Sequence, residues 1–593
     1  MHDLVIRGGT IVDGSGAPAR EGDVAIDDDR ITEVGEVVGR GAREIDARDR
    51  LVTPGWVDIH THYDGQVTWD PYLTPSIWHG ITTVVMGNCG VGFAPARPDR
   101  HEWLIGLMEG VEDIPGTALA EGIDWQWESF PEYLDTLDRK PLAMDVGTQV
   151  PHGAVRAYVM GERGAKNEEA TADDIARMAE IVREALRAGA LGFSTSRTLL
   201  HRAIDGEPVP GTFASAEELL GIGRVMGEEG RGVFELASDL APEGREMEWM
   251  TEFSRRTGRP ITFACLQNDV DPGQWRRLLD EAEKAAAKGS RVIPQVAGRP
   301  TGILMGLEAT THPFQHHPVY QEIAHLPLPE RVARMRAPEF RKRVFETKAD
   351  LANPMVAFVM QSFHKLFPLG DPPDYEPTPD QSVKAMAERE GRTPEEVAYD
   401  LLLRRDGREL LYFPILNYAG GDFEPIREML EHPLAVLGLS DGGAHCGLIC
   451  DSSMPTFMLT HWVRDRSRGE RLPLEQVVHG QTRRTAETFD LHDRGLLAPG
   501  MQADVNVFAL DALAIEPPEM IYDLPSGAGR LVQRSRGYDY TLAHGKVIVE
   551  DGETTGALPG RLLRGPQPWR PTRPPSSQAG LRRAVSSSPA GRG

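Results

Sequence analysis

The middle of the chain repeats one unit, an amphipathic helix followed by a short apolar strand. Residues 171–196 show it most clearly, with Thr171 as a candidate N-cap, Met178, Val182 and Leu186 on one apolar stripe, and Gly189 as the stop. The strand LGFSTS, 191–196, follows directly. Alternation of helices and strands predicts an α/β fold with a parallel sheet covered by helices.

The unit recurs along the chain. Ser215 and Glu218 have the spacing of a capping box at the start of the next helix, and the strand GVFELAS follows. Candidate strands lie near 54–60, 82–87, 143–149, 190–196, 232–237, 261–267, 291–296 and 434–440. Eight strands with helices between them predict a TIM-type (β/α)8 barrel over residues 53–500.

One interval is too long for a loop. Residues 297–433, between the seventh and eighth candidate strands, predict an inserted subdomain or lid. Because segments that follow a barrel strand lie over the active face, we expect this insert to shape the substrate pocket.

The first 52 residues and the segment 501–565 both have β-like patterns. Residues 1–52 and 501–565 alternate short apolar runs with Gly and Asp turns, which predicts one small β-sandwich domain built from the two ends. The remaining residues, 566–593, are rich in Pro, Ser, Arg and Gly and predict a disordered tail.

Charge and composition exclude several classes of protein. The net charge of −25 argues against a nucleic-acid partner, which needs a basic face. No apolar run approaches the roughly 18 residues of a membrane span, so no membrane partner is expected. Four cysteines in 593 residues do not make a disulfide framework, and no secretory signal is visible. We therefore expect a cytoplasmic protein, with a homo-oligomer left open.

Two histidines mark the end of the first candidate strand. His60 and His62, in VDIHTHYD, are two residues apart, so strand alternation places both on one face. Two imidazoles at the carboxyl end of a barrel strand are able to bind one metal ion. A pair of structural core histidines is the alternative, and the preceding VTPG and the strand-end position favour the metal.

A cysteine follows the second candidate strand. Cys89 lies in the turn-rich segment GNCG, and a thiolate beside a metal is a soft ligand. A small buried cysteine is the alternative, and it would be preferred if Cys89 stood alone.

An aspartate ends the eighth candidate strand. Asp441, in VLGLSDGGAH, is positioned to contact a metal and to accept a proton from the attacking water. An aspartate that caps a turn is the alternative. The three motifs form one site if the barrel closes, because closure places the first, second and eighth strands side by side.

At this point the chain resembles the amidohydrolase superfamily and, within it, the N-acyl-D-amino-acid deacylase (D-aminoacylase) family. The resemblance covers roughly residues 1–560. It rests on the segments DLVIRGGTIVDGSG, VTPGWVDIHTHYD, GITTVVMGNCGVGFAP, GLSDGGAH and RGLLAPGMQADVNVF. It implies a metal-bearing barrel beside a small β-sandwich, and hydrolysis of an amide with zinc.

The resemblance also implies roles for individual residues. His60 and His62 look like the ligands of the first strand, Cys89 like the metal-binding cysteine, and Asp441 like the catalytic aspartate. The family's histidines on strands five and six are missing, so this chain resembles a divergent member. Their stretches contain the possible substitutes Glu235, Asp239 and Cys265. The simplest remaining site is one zinc ion held by His60, His62, Cys89 and Asp441.

The segment after Asp441 lacks the family's arginine for the substrate carboxylate. Arg197 and Arg299 are possible replacements, because a guanidinium is the natural partner of a carboxylate. His152 and His445 are further candidates for the pocket, with structural roles as the alternative.

The sequence thus predicts a metal-dependent hydrolase of a small-molecule amide, similar to the N-acyl-D-amino-acid deacylases. In the expected mechanism Asp441 takes a proton from the attacking water and gives it to the leaving nitrogen. A hydrolase of a cyclic amide, a ureide or a secondary-metabolite amide is the alternative enzyme. A non-catalytic scaffold that keeps the fold is the alternative outside enzymes.

Overall fold

A computed structural model describes residues 1–240, 243–347, 357–358 and 361–569 of the chain. From position 570 onward, the predicted tail 566–593 lies outside the described residues. Among the described residues, no helix has the length and the apolar character needed to cross a membrane.

Eight strands form one parallel sheet, and we number them in chain order. They are β1 (Trp56–Asp58), β2 (Ile81–Met86), β3 (Asp145–Pro151), β4 (Gly192–Arg197), β5 (Val233–Ser238), β6 (Ile261–Ala264), β7 (Val292–Val296) and β8 (Val436–Leu437). Strands that follow one another in the chain are neighbours in the sheet. This eight-stranded parallel sheet agrees with the predicted α/β class.

The sheet curls so that its first and last strands meet. Just beyond the carboxyl ends of β1 and β8, Thr61 and Gly442 form a parallel bridge. The N–H of His62 donates to the carbonyl of Gly442 over 2.7 Å. The ends of the two outermost strands are therefore adjacent.

Helices connect the strands. The segment between β2 and β3 contains His101–Glu112, Gly116–Gly122 and Phe130–Asp138, and β3 is followed by His152–Met160, Glu162–Ala165 and Ala172–Ala188. Single helices follow β4, β5 and β6, namely Ala216–Glu229, Glu243–Thr257 and Gln274–Ala286. Glu424–Glu431 precedes β8, and Met454–Phe457, the π-helix Met458–Asp465, Leu474–Gln481 and Arg483–Thr488 follow it. Short 3-10 helices cover Gln66–Thr68, Ser76–His79, Pro98–Arg100, Pro379–Gln381, Arg404–Gly407 and Pro525–Gly527.

The predicted helix start at Thr171 is confirmed, since its side chain accepts from the N–H of Asp174 and Gly189 ends the helix. The predicted capping box of Ser215 and Glu218 forms only in part. Ser215 accepts from the N–H of Glu218, but the Glu218 carboxylate binds His152 and Arg156 instead of reaching back. A buried ion pair therefore prevails over the local cap.

Many residues between β7 and β8 form a hydrophobic cluster of their own, whereas Leu304, Phe367 and Tyr412 belong to the main core. The strands Gly302–Met305, Phe367–Pro368 and Leu411–Pro414 form a small antiparallel sheet. The helices Pro318–Gln321, Leu328–Arg336, Pro338–Glu346, Val383–Glu390 and Pro394–Leu402 surround it. Leu307, Val332, Tyr399 and Phe413 are among the residues of this separate cluster.

The two ends of the described chain share a nine-stranded sheet. Its strands are His2–Ile11, Arg20–Asp27, Arg30–Gly35, Gly41–Asp46, Leu51–Pro54, Val505–Phe508, Tyr538–Ala543, Lys546–Glu550 and Glu553–Thr554. Leu51–Pro54 pairs antiparallel with Val505–Phe508, which joins the ends directly. Two further pairs of short strands are Ala514–Ile515 with Ser535–Arg536, and Glu519–Ile521 with Arg530–Val532.

A buried ionic network connects this terminal sheet to the parallel sheet. Asp145, at the start of β3, accepts from Arg494 Nη1 over 2.7 Å and contacts His544 Nε2 at 2.6 Å. Asp145 and Arg494 are both almost fully buried. Burial opposes ionisation of Asp145, but Arg494 and His544 hold its pKa well below the usual range. Asp145 is therefore charged, and its charge is fully paired.

We expect Asp145→Asn to destabilise the fold by about 3–5 kcal/mol, because it removes the carboxylate that pairs with both buried cations, Arg494 and His544, and leaves Arg494 only its ionic contacts with Asp493 and Asp504. Denaturant unfolding of the purified variant measures this. The matched control is Asp138→Asn, whose exposed carboxylate also pairs with an arginine, Arg564, and which should change stability by less than about 1 kcal/mol. Equal effects of the two substitutions would contradict the assignment.

Candidate metal centre

The carboxyl end of β1 supplies two histidines. Asp58, His60 and His62 alternate along the chain, and the rings of His60 and His62 are fully buried. The Asp58 carboxylate accepts from the His60 N–H over 3.2 Å and also from the Ser440 hydroxyl. Asp58 thus fixes the backbone of this segment and ties it to the residues after β8.

The turn after β2 brings a thiol to the first imidazole. Cys89 Sγ lies 3.4 Å from His60 Nε2. The Cys89 backbone is left-handed, with φ +55°, and its N–H donates to Glu235 Oε2 over 2.8 Å. Gly90 has no room for a side chain, because a Cβ there would lie 2.8 Å from the backbone nitrogen of Ser196. The turn is therefore packed tightly against β4.

The segment after β8 adds a carboxylate. Asp441 Oδ1 lies 3.4 Å from His60 Nε2 and 3.6 Å from His62 Nε2. Its backbone N–H donates to the His60 carbonyl over 3.2 Å. The contact between β1 and β8 thus sets the distance between the carboxylate and the imidazoles.

The structure brings together the four residues singled out as ligands. The ligand atoms of His60, His62 and Cys89 all lie within 4.8 Å of one another, and Asp441 borders both imidazoles. Nitrogen, sulfur and carboxylate oxygen are the donors found in protein zinc sites. The residues present therefore fit zinc.

Burial and neighbouring charges shift the pKa values of the two imidazoles in opposite directions. Burial lowers the pKa of His60 to about 4. Burial also disfavours the charged form of His62, but the Glu112 carboxylate and the contact with Asp441 raise its pKa to about 9. Burial opposes the charge of Asp441, yet the hydrogen bond with His62 and both imidazoles hold its pKa below the usual range. Asp441 is an ionised acceptor at neutral pH.

Several other acids have raised pKa values, in contrast to the lowered pKa of Asp441. Burial raises the pKa of Glu235 to about 8, and those of Asp58 and Asp64 to about 7. Burial also raises the pKa of the Cys89 thiol, and the charge of Glu235 adds to the effect. This concentration of shifted groups is typical of a functional site.

Two of the predicted pocket residues, His152 and Arg197, form hydrogen bonds or ion pairs with other protein side chains. His152 contacts Thr195 Oγ1 at 2.9 Å and Glu218 Oε1 at 3.0 Å, so both ring nitrogens are bound. Arg197 forms a bidentate pair with Glu246.

The possible replacements have different positions. Glu235 borders the centre through Cys89 and lies 4.0 Å from His60 Nδ1. Asp239 accepts from Thr198 and from the N–H of Leu199, in the loop after β4. Cys265 is buried directly after β6, and burial raises the pKa of its thiol to about 12. Arg299, the other candidate arginine, is fully buried and pairs with Asp451.

His445 and two residues that the sequence motifs do not reveal, Glu112 and Gln295, also border the centre. His445 Nε2 lies 4.0 Å from Asp441 Oδ2. Glu112 Oε1 is 3.3 Å from His62 Nδ1, and Gln295 Oε1, on β7, is 2.6 Å from His60 Nδ1. The strand-end position of Gln295 offered a weak signal, whereas Glu112 at a helix end offered none.

Comparison with known proteins gives the family. The amidohydrolase family model matches residues 43–549. The chain is 26% identical to the N-acyl-D-aspartate deacylase of Alcaligenes xylosoxydans xylosoxydans over 571 residues, which cover 95% of both proteins. The chain therefore belongs to the amidohydrolase family, and the prediction of a metal-dependent hydrolase of amide carbon–nitrogen bonds is confirmed.

Solved structures agree with this membership. The N-acyl-D-glutamate deacylase of Bordetella bronchiseptica, complexed with zinc and a phosphonate inhibitor, matches with a TM-score of 0.62 and 25% identity over 95% of this chain and 99% of that one. A D-aminoacylase with a binuclear metal centre matches with a TM-score of 0.64 and 24% identity, over 95% and 100%. The second likeness shows the fold alone.

We expect Glu235→Gln to stabilise the metal-free protein at pH 7. The pKa of Glu235 is about 8 in the fold and 4.5 as the ordinary value, so folding at pH 7 requires proton uptake, which glutamine avoids. Linkage limits the gain to about 3 kcal/mol, and the gain should shrink as the pH falls towards 4.5.

Denaturant unfolding of chelator-treated protein between pH 5.5 and 8 measures this difference. The control is Glu217→Gln, at an exposed position, which should show no such pH dependence. A Glu235→Gln protein that is less stable than the wild type at pH 7 would contradict the assigned shift.

Proposed function

We propose that the chain is a zinc-dependent deacylase that hydrolyses the amide of an N-acyl-D-amino acid or a similar small molecule. One observation carries the proposal: two buried imidazoles and a thiol converge within 4.8 Å at the carboxyl end of a parallel sheet, with an ionised carboxylate beside them. Two relatives named as deacylases of N-acyl-D-aspartate and N-acyl-D-glutamate support the choice of substrate.

In this proposal His60, His62, Cys89 and Asp441 hold one ion. Zinc supplies Lewis acidity that polarises the carbonyl of the amide. Gln295 contacts Nδ1 of His60, which we call the remote nitrogen because it lies away from the proposed ion. The other ring nitrogen, Nε2, lies next to Cys89 and Asp441 and is therefore the proposed ligand atom. Neutral His60, with its low pKa, has a free lone pair there.

Asp441 is the proposed proton carrier. Its Oδ1 faces the two imidazoles, while Oδ2 points to the side of His445. The ionised carboxylate accepts a proton from the attacking water and then delivers it to the leaving nitrogen as the carbon–nitrogen bond breaks. This proton transfer keeps the leaving group neutral.

The pocket residues divide into two groups in the proposal. His445 borders Asp441 and is the candidate for direct contact with the substrate. His152 and Arg197 are held by Glu218 and Glu246, so their contribution is to position the wall of the pocket. Arg530 and Asp451 line one cavity together with Asp441.

We also infer the finer architecture. The contact between β1 and β8 supports a closed (β/α)8 barrel over residues 53–500, and residues 1–52 and 501–565 form the β-sandwich. The hydrophobic cluster within the insert, about 297–433, supports an inserted subdomain over the carboxyl edge of the barrel.

Elemental analysis of protein that was never exposed to chelator tests the metal. We expect about one zinc per chain in the wild type, and loss of that zinc in the His60→Ala/His62→Ala protein, because two of the proposed ligands are removed. Two ions per chain would require further ligands, and no ion would overturn the zinc-dependent mechanism.

Turnover of N-acetyl-D- and N-acetyl-L-amino acids tests the reaction. We expect hydrolysis of the D isomers, and a fall in kcat of roughly 10²–10⁴-fold in Asp441→Asn, because the amide cannot carry the proton. Asp173→Asn, at an exposed helix position, should retain full activity. Activity in Asp441→Asn equal to that of the wild type would refute the assigned role.

A further inference from the structure

A helix outside the parallel sheet reaches the centre through its last residue. Glu112 ends the helix His101–Glu112 and is 2% exposed. Its Oε1 lies 3.3 Å from His62 Nδ1. Among the described residues, neither atom has a hydrogen-bond partner that meets strict geometry. The two groups therefore face each other without a competing partner.

The same residue binds the segment that carries Asp441. Glu112 Oε2 lies 3.7 Å from His445 Nε2, and the Glu112 carbonyl accepts the His445 N–H. His445 has a left-handed backbone, with φ +54°, so its position depends on such contacts. Glu112 thus touches two of the groups that surround the proposed metal.

The next residue strengthens this attachment. Asp113 accepts from the Gly447 N–H over 2.9 Å, and its carbonyl accepts from the Cys446 N–H over 3.2 Å. Asp113 also accepts from the Thr310 hydroxyl of the insert over 3.0 Å. The helix end is therefore a fixed support for the segment after β8.

Each imidazole has a different partner on its remote nitrogen. The neutral amide of Gln295 contacts His60 Nδ1, and the carboxylate of Glu112 faces His62 Nδ1. A carboxylate at the remote nitrogen fixes a histidine as the Nδ1–H tautomer and makes Nε2 a stronger ligand. In His62, Nε2 is the atom that faces Asp441.

We propose that Glu112 is a positioning residue that orients His62 as a zinc ligand and holds His445 beside Asp441. This inference rests on the proposed zinc function. It predicts that zinc affinity depends on a helix residue that does not bind the ion.

Zinc competition against a chromophoric chelator tests the proposal on the full chain. We expect Glu112→Gln to bind zinc 10–100-fold more weakly, because the remote carboxylate is lost while its shape is kept. Glu102→Gln, on the exposed side of the same helix, should bind zinc as the wild type does. Thermal unfolding of the metal-free proteins identifies any loss of fold.

The second variant, Glu112→Asp, keeps the charge but shortens the side chain, so its zinc affinity should lie between those of the wild type and Glu112→Gln. If Glu112→Gln does not fold, weaker zinc binding by folded Glu112→Asp supports the proposal. Unchanged affinity in a folded variant, beside a wild type that binds zinc tightly, overturns this inference alone. A wild type that binds no zinc refutes the proposed function.

Discussion

The pairing between the ends of β1 and β8 is the contact on which the centre depends. Two hydrogen bonds make it: His62 N–H to the Gly442 carbonyl at 2.7 Å, and Asp441 N–H to the His60 carbonyl at 3.2 Å. Residues about 380 positions apart in the chain are thereby placed side by side. Because these bonds are made by the backbone of the functional residues, the distance between carboxylate and imidazoles follows from the sheet.

Burying several carboxyl groups around the centre costs folding free energy when no cation is bound. Glu235, Asp58 and Asp64 all have raised pKa values, because their charged forms lose hydration. Burial also opposes the charge of Asp441, but His62, His60 and His445 hold its pKa below the usual range, so it stays ionised. In the proposed site a divalent cation would compensate the charges of Asp441 and the Cys89 thiolate, since both ligands bind best when deprotonated. The proposal therefore couples the stability of the fold to the affinity for the ion.

The sequence allowed the parallel α/β sheet and the four residues of the centre to be predicted, for a local reason. His60 and His62 follow strand alternation, and Cys89 and Asp441 directly follow strands, so a local pattern marks each of the four residues, while the contact between β1 and β8 sets their distances. Glu112 depends on how a helix end packs against the sheet, which no local pattern encodes. Glu218 shows the same limit, because its buried partners His152 and Arg156 prevail over the expected cap.

The central claim is that Cys89 and the two histidines bind the same ion. X-ray absorption at the zinc edge of the purified protein tests it most directly. The account predicts one sulfur at about 2.3 Å together with nitrogen and oxygen ligands at about 2.0–2.2 Å, and loss of the sulfur shell in Cys89→Ser. A zinc shell of nitrogen and oxygen alone in the wild type would contradict it.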